Sequence, residues 1–87
     1  MRNGFAAHHF YDDDGNPTGG ITTGLGFTIG WQNGPLGRGE NRRLPNGAFV
    51  EDIIDAAKDR LEYYQDGQFA CDENRQAIEY LEYALSC

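Results

Sequence analysis

From residue 46 onward, apolar side chains return every three or four positions, and a short break around Gly67 divides them into two runs. Phe49, Ile53, Ala57, Leu61 and Tyr64 form the first stripe, widened by Val50 and Ile54. Ala77, Ile78, Leu81, Ala84 and Leu85 form the second. This spacing marks helices with one apolar face, and a short connection makes consecutive helices antiparallel. The pattern predicts a two-helix hairpin over residues 46–87. Asn46 is the expected N-cap, with Glu51 and Asp52 in the first turns, where the helix dipole favours negative charge. Gly67 supplies the stop. The second helix is expected to start near Asp72, with Glu73 in its first turn. Residues 65–71 reverse the chain, and Phe69 is expected to plug the open end of the pair.

The N-terminal half carries a different period. Residues 4–11 read as a short strand, and Asp14-Gly15-Asn16-Pro17 followed by Gly19-Gly20 reads as a turn or loop. Ile21, Leu25, Phe27, Ile29 and Trp31 then alternate with Thr22, Gly24, Thr28 and Gly30, interrupted by Thr23, as in one strand with an apolar face. Asn33-Gly34-Pro35 ends it. Residues 34–47 contain four glycines, two prolines and three arginines. A loop of that length in a small domain is usually functional or disordered. The fold class that follows is α+β, with short N-terminal β-strands and a Gly-rich loop before an antiparallel two-helix hairpin.

The formal charge of −7 is unevenly placed. Residues 1–50 balance Asp12, Asp13, Asp14 and Glu40 against Arg2, Arg38, Arg42 and Arg43. Residues 51–87 set ten acids against Lys58, Arg60 and Arg75 and hold the whole surplus. This balance disfavours nucleic-acid duplexes and anionic membranes as partners, while the arginine cluster can hold a small anion locally. Eighty-seven residues form a single expected domain that buries only about 60–65% of its unfolded surface, so a homo-oligomer is expected. Cys71 and Cys87 bracket the second helix and lie roughly 24 Å apart along it, well beyond the reach of a disulfide. Met1 leads into Asn3, Gly4 and His8 rather than an apolar segment, and no stretch approaches transmembrane length, so a cytoplasmic location is the expectation.

The candidate chemistry is sparse outside one loop. Asp12, Asp14 and Asn16 have the one-three-five spacing of a calcium loop, but Pro17 follows where glycine is required and Thr23 stands in place of the closing glutamate. His8 and His9 are adjacent, so on a strand they point to opposite faces. The glycines at 24, 26 and 30 miss the dinucleotide fingerprint by one residue. Cys71, Cys87 and Ser86 have no neighbouring base in any recognisable signature, so no catalytic residue, metal or cofactor is assigned and no enzyme is expected. The run from Gly34 to Arg43 is different. Its glycines let backbone N–H groups approach an anion, and Arg38, Arg42 and Arg43 offer planar hydrogen bonding to phosphate. Phe27 and Trp31 on the adjoining strand are candidates to stack a base. The competing reading is that the arginines pair with the acidic hairpin and that Trp31 is core.

Five stretches carry a family resemblance. They are Gly26-Phe27-Thr28-Ile29-Gly30-Trp31-Gln32-Asn33-Gly34-Pro35, Asn46-Gly47-Ala48-Phe49-Val50-Glu51-Asp52, Arg60-Leu61-Glu62-Tyr63-Tyr64-Gln65, Phe69-Ala70-Cys71-Asp72-Glu73-Asn74 and Ala77-Ile78-Glu79-Tyr80-Leu81-Glu82-Tyr83-Ala84-Leu85. Over about residues 24–87 the chain resembles the phage anti-Thoeris and anti-CBASS cyclic-nucleotide sponges that share a helical hairpin, and it is closer to the anti-Thoeris branch. The resemblance implies an anti-defence protein of the host cytoplasm that binds a cyclic ADP-ribose isomer or cyclic oligonucleotide and sequesters it without chemistry. It implies a dimer or hexamer with sites between protomers. It places the ligand against the strand and loop, at Phe27, Trp31, Gln32, Asn33, Gly34, Arg38, Arg42, Arg43 and Asn46, with residues 1–45 binding and residues 46–87 assembling. Relatives are expected to continue past the second helix into an arginine-containing tail, whereas this chain stops at Cys87. The ten acids of the second half support a second reading, an acidic DNA mimic or direct protein inhibitor of a host defence factor.

Overall fold

The computed structural model describes residues 4–86, which divide into a sheet-and-loop unit ending at Phe49 and a helical unit beginning at Val50. The class is α+β, three antiparallel strands followed by two helices.

Strands β1 (Phe5–Tyr11), β2 (Pro17–Gly24) and β3 (Phe27–Trp31) form one sheet in that spatial order. The alternation from Ile21 to Trp31, expected to be a single strand, is a hairpin. Gly24 faces Phe27 across a two-residue turn made by Leu25 and Gly26, whose φ of +87° is easy only for glycine. Leu25, read as part of the apolar face, is 95% exposed at that turn. The turn also separates the apolar set. Ile21 pairs with Gly30 and lies on the face opposite Phe27, Ile29 and Trp31, which share theirs with Phe5, Ala7, His9 and Thr22.

The expected loop around Pro17 and Gly20 is also shorter than read, because residues 17–20 belong to β2. The reversal is confined to residues 12–16, where the Asp12 carboxylate accepts hydrogen bonds from the N–H groups of Asp14 and Asn16, both at 2.9 Å. These bonds, the Asn16 backbone first, hold the Asp12 carboxyl below its ordinary value. The aspartate spacing that suggested a cation loop is therefore an Asx-type turn closed by its own backbone.

Residues 34–47 are irregular apart from a 3-10 turn at Gly39–Asn41, and the chain then returns to the sheet. Ala48 bridges Trp31 in parallel, donating to the Gly30 carbonyl at 2.7 Å and accepting from Gln32 N–H at 2.9 Å. A Cβ on Gly47 would lie 2.5 Å from the Trp31 carbonyl carbon and oxygen, so only glycine permits this approach.

The helical unit pairs α1 (Val50–Gln65) with α2 (Asp72–Leu85), and α2 starts where its acids predicted. Asn46 is not the N-cap of α1. Its side chain accepts from Asn33 N–H at 2.9 Å, four residues ahead of the first helical residue. The buried stripe also differs, because Ala57 is exposed and Lys58 is half-buried beside Ile54 and Leu61. The Lys58 ammonium lies 3.8 Å from Glu82 on α2 and 3.9 Å from Glu62. A lysine can serve there because its stem covers apolar surface while its charge meets two carboxylates. On α2 Ala77, Ile78, Leu81 and Leu85 are half-buried, whereas Ala84 is exposed.

The reversal between the helices is tied by side chains. Gln65 holds the Cys71 peptide on both sides, accepting from its N–H at 2.9 Å and donating to its carbonyl at 3.1 Å. Cys71 is exposed, and its Sγ caps α2 by accepting from Asn74 N–H at 3.4 Å. Cys87 lies outside the described residues. Phe69 does not plug the helix pair; it is 65% exposed, edge-on to Tyr64 at 6.3 Å between ring centres.

No apolar side chain is fully buried among the described residues. Phe5, Phe10, Phe27, Phe69, Tyr63 and Tyr80 are each between 45% and 66% exposed.

Candidate functional site

The nine residues singled out in the sequence fall into three groups. Gln32, Asn33, Gly34, Arg43 and Asn46 make one network that closes the long loop on the end of β3. The Gln32 carboxamide accepts from Asn46 N–H at 2.9 Å and Gly47 N–H at 3.2 Å, and donates to the Gly34 carbonyl at 3.2 Å. One Arg43 Nη donates to the carbonyls of Asn33 at 3.1 Å and Pro35 at 2.7 Å. These polar groups are spent on backbone that has left regular structure.

Arg38 and Arg42 form the second group. They flank the turn at Gly39–Asn41, both are exposed, and their guanidinium groups have no hydrogen bond or ion pair among the described residues. Phe27 and Trp31 are the third. They share a face of β3 but stand four residues apart, about 13 Å along a strand, too far to sandwich one base between them. Trp31 is half-buried, and its indole N–H donates to Thr22 Oγ1 at 2.8 Å.

One concave site among the described residues was not singled out in the sequence. At the reversal of the hairpin, Arg60, Tyr63, Tyr64, Asp66, Gly67 and Phe69 line an open pocket of 510 Å³. Helix geometry builds its wall, since Arg60, Tyr63 and Tyr64 stand at i, i+3 and i+4 on one side of α1. The Arg60 guanidinium carbon lies 5.1 Å from the Tyr63 ring centre and 5.0 Å from that of Tyr64, within cation–π range. Its Nε donates to the Tyr64 hydroxyl at 3.2 Å, and this bond is the first cause holding the guanidinium pKa above its ordinary value. Tyr64 in turn meets the edge of Phe69. The arrangement offers a permanent positive charge, a phenol and exposed aromatic surface in one recess, which suits a ligand with an anionic group and a flat ring. Arg60-x-x-Tyr63-Tyr64 was the available signal. It is masked because Tyr64 also fits the apolar stripe of α1.

A three-stranded sheet with a returning loop, followed by a short antiparallel helical hairpin whose reversal carries an arginine–aromatic pocket, places the chain in the helical-hairpin class. The chain belongs to the Acb2/Tad1 hairpin-domain family, whose model matches residues 25–86. A stretch of 58 residues, 67% of this chain, is 40% identical to Thoeris anti-defense 1 of Bacillus phage SBSphiJ7. That stretch is 38% of the relative's length, so the chain corresponds to well under half of that protein. The family seen in the five sequence stretches is thereby shown. The match opens at the turn before β3, and β1 and β2 precede it.

Proposed function

We propose that this chain is an anti-defence protein that binds a host immune nucleotide, a cyclic ADP-ribose isomer or a cyclic oligonucleotide, and sequesters it without degrading it. The observation that carries the reading is the hairpin pocket, in which Arg60 sits over two tyrosine rings. Its volume is within the range of about 300–1,000 Å³ usual for small-molecule sites. Phosphate oxygens would meet Arg60, and a base or ribose would lie against Tyr63, Tyr64 and Phe69. Arg38 and Arg42, whose guanidinium groups are unpaired among the described residues, are further candidates for phosphate. Gln32, Asn33 and Asn46 act instead by shaping the loop. The protein works in the host cytoplasm as a homo-oligomer, a dimer or hexamer, with the hairpin contributing to assembly.

Calorimetry against cyclic ADP-ribose isomers and cyclic di- and trinucleotides tests this directly. Saturable binding is expected for at least one of them, with the nucleotide recovered intact by mass spectrometry after denaturation. A hydrolysed product would overturn sequestration in favour of an enzyme. Stoichiometric capture of a host protein without any nucleotide would support the acidic mimic or direct inhibitor instead.

A further inference from the structure

We propose that the outer edge of β1 is a self-association site, through which two copies join their sheets into one antiparallel sheet of six strands about a two-fold axis at His8. The backbone bonding fixes which groups are available. Gly30 and Gln32 turn their carbonyl and N–H toward Ala48, so the alternate residues of β3, Phe27, Ile29 and Trp31, bond to Gly24, Thr22 and Gly20. By the same alternation Ile21 and Thr23 bond to His8 and Ala6. The N–H and carbonyl groups of Phe5, Ala7, His9 and Tyr11 are therefore directed away from β2.

Nothing in the described residues covers this edge. All seven residues of β1 are exposed. The irregularity between His9 and Tyr11 places its extra residue on β2, where Gly19 and Gly20 have φ of +104° and +153°, so β1 itself continues as regular strand. The edge also has none of the usual guards against pairing, since Phe-Ala-Ala-His-His-Phe-Tyr contains no lysine, proline or acid.

The sequence of β1 is self-complementary in one register. Centring the two-fold at His8 is the only choice that pairs every residue of the strand. Ala7 then bonds with His9 of the other copy and Phe5 with Tyr11, each pair exchanging both backbone bonds, which uses the outward groups of all four residues. Phe5 meets Tyr11 on one face as a cross-strand aromatic pair, and on the other the small Ala6 meets the large Phe10. His8 faces His8 as a non-hydrogen-bonded pair, with Cα atoms about 4.5 Å apart. Moving the axis to residue 7 or 9 leaves strand ends unpaired and loses the Phe5–Tyr11 contact. The occupant is thus a second copy of this chain. The contact lies outside the family-matched segment.

Disulfide trapping reads this register. In the full chain with Cys71→Ser and Cys87→Ser, His8→Cys is expected to give a covalent dimer in most of the protein on mild oxidation, because a non-hydrogen-bonded pair suits a disulfide. Thr23→Cys, on the same face of the neighbouring strand, is expected to stay uncrosslinked. Adding Ala7→Pro removes an N–H that β2 does not use, so the monomer's sheet remains while the position-8 crosslink falls at least severalfold. Crosslinking equal at residues 8 and 23, or a position-8 crosslink unaffected by Ala7→Pro, overturns the proposal. So does absence of the position-8 crosslink when circular dichroism shows the variant folded. Hydrogen exchange supplies a second readout, as the amides of Ala7 and His9 are expected to lose protection on dilution while those of Ala6 and His8 keep it. Protection independent of concentration overturns the register.

Discussion

Single residues divide here into those that hold the backbone and those that remain free. Arg43 and Arg42 are neighbours of identical chemistry, yet Arg43 spends one nitrogen on two carbonyls while Arg42 spends none. Reversing both charges would therefore confuse loop collapse with lost binding. Arg42→Gln is expected to weaken nucleotide retention, and Arg43→Gln to broaden the amide signals of residues 33–36 first; NMR spectra and calorimetry on the two single variants separate these effects. In the hairpin pocket, Arg60→Ala is expected to raise the nucleotide Kd by about tenfold or more, the usual loss for a charged hydrogen bond. Tyr64→Phe keeps the ring and should cost less. Asp12 gives a pH dependence of defined sign. Because its folded-state pKa is depressed, its stabilisation of the β1–β2 turn is complete above the unfolded value of 3.8 and is lost as pH falls through the lower folded value. Exchange-broadened turn amides on acidification, absent in the already loosened Asp12→Ala protein, would report it.

At the scale of elements, α1 and α2 were legible because a 3.6-residue period survives whatever packs against it. The ends were not. Asn46 has the chemistry of a cap but is taken by Asn33, and Cys71, a poor capping residue by type, occupies the cap of α2. Cys71→Ser is accordingly expected to stabilise the hairpin by about 0.5–1 kcal/mol in urea unfolding, since a hydroxyl accepts the Asn74 N–H more strongly than sulfur. The sheet is ambiguous in the sequence for a related reason. Leu25 lies at an even offset from Phe27, so a two-residue turn passed for continued alternation, and only the glycine at 26 signalled the reversal. The pocket was hidden because Tyr64 serves two roles, half-buried on the helix stripe and hydrogen-bonded to Arg60. The loop network was invisible since Gln32 and Asn46 are fourteen residues apart and carry no periodic signal. Its tightest point is Gly47. Gly47→Ala should force residues 46–48 off β3 and destabilise the protein by about 1–3 kcal/mol, measured from the urea midpoint.

For the whole molecule, the decisive observation is that no apolar side chain among the described residues is fully buried. Folding must offset about 1–2 kcal/mol of backbone entropy per residue, and burial of apolar surface is the main term available to do so. Two half-covered layers, one on the sheet and one along the helix pair, leave much of that term unrealised in a single copy. Association can supply the rest, and it does so in a way that mass action exposes. If the folded form is a dimer that unfolds to separate chains, a tenfold rise in protein concentration adds about 1.4 kcal/mol per dimer to its stability. For a dimer of this size that corresponds to a rise in Tm of about 4 °C. Calorimetric scans across two decades of concentration are expected to show this slope, and a concentration-independent Tm would mean that one copy is stable alone. Repeating the scans with Ala7→Pro separates the surfaces involved. A slope that persists assigns the stabilising contact to the hairpin, while a slope that vanishes assigns it to the edge of β1.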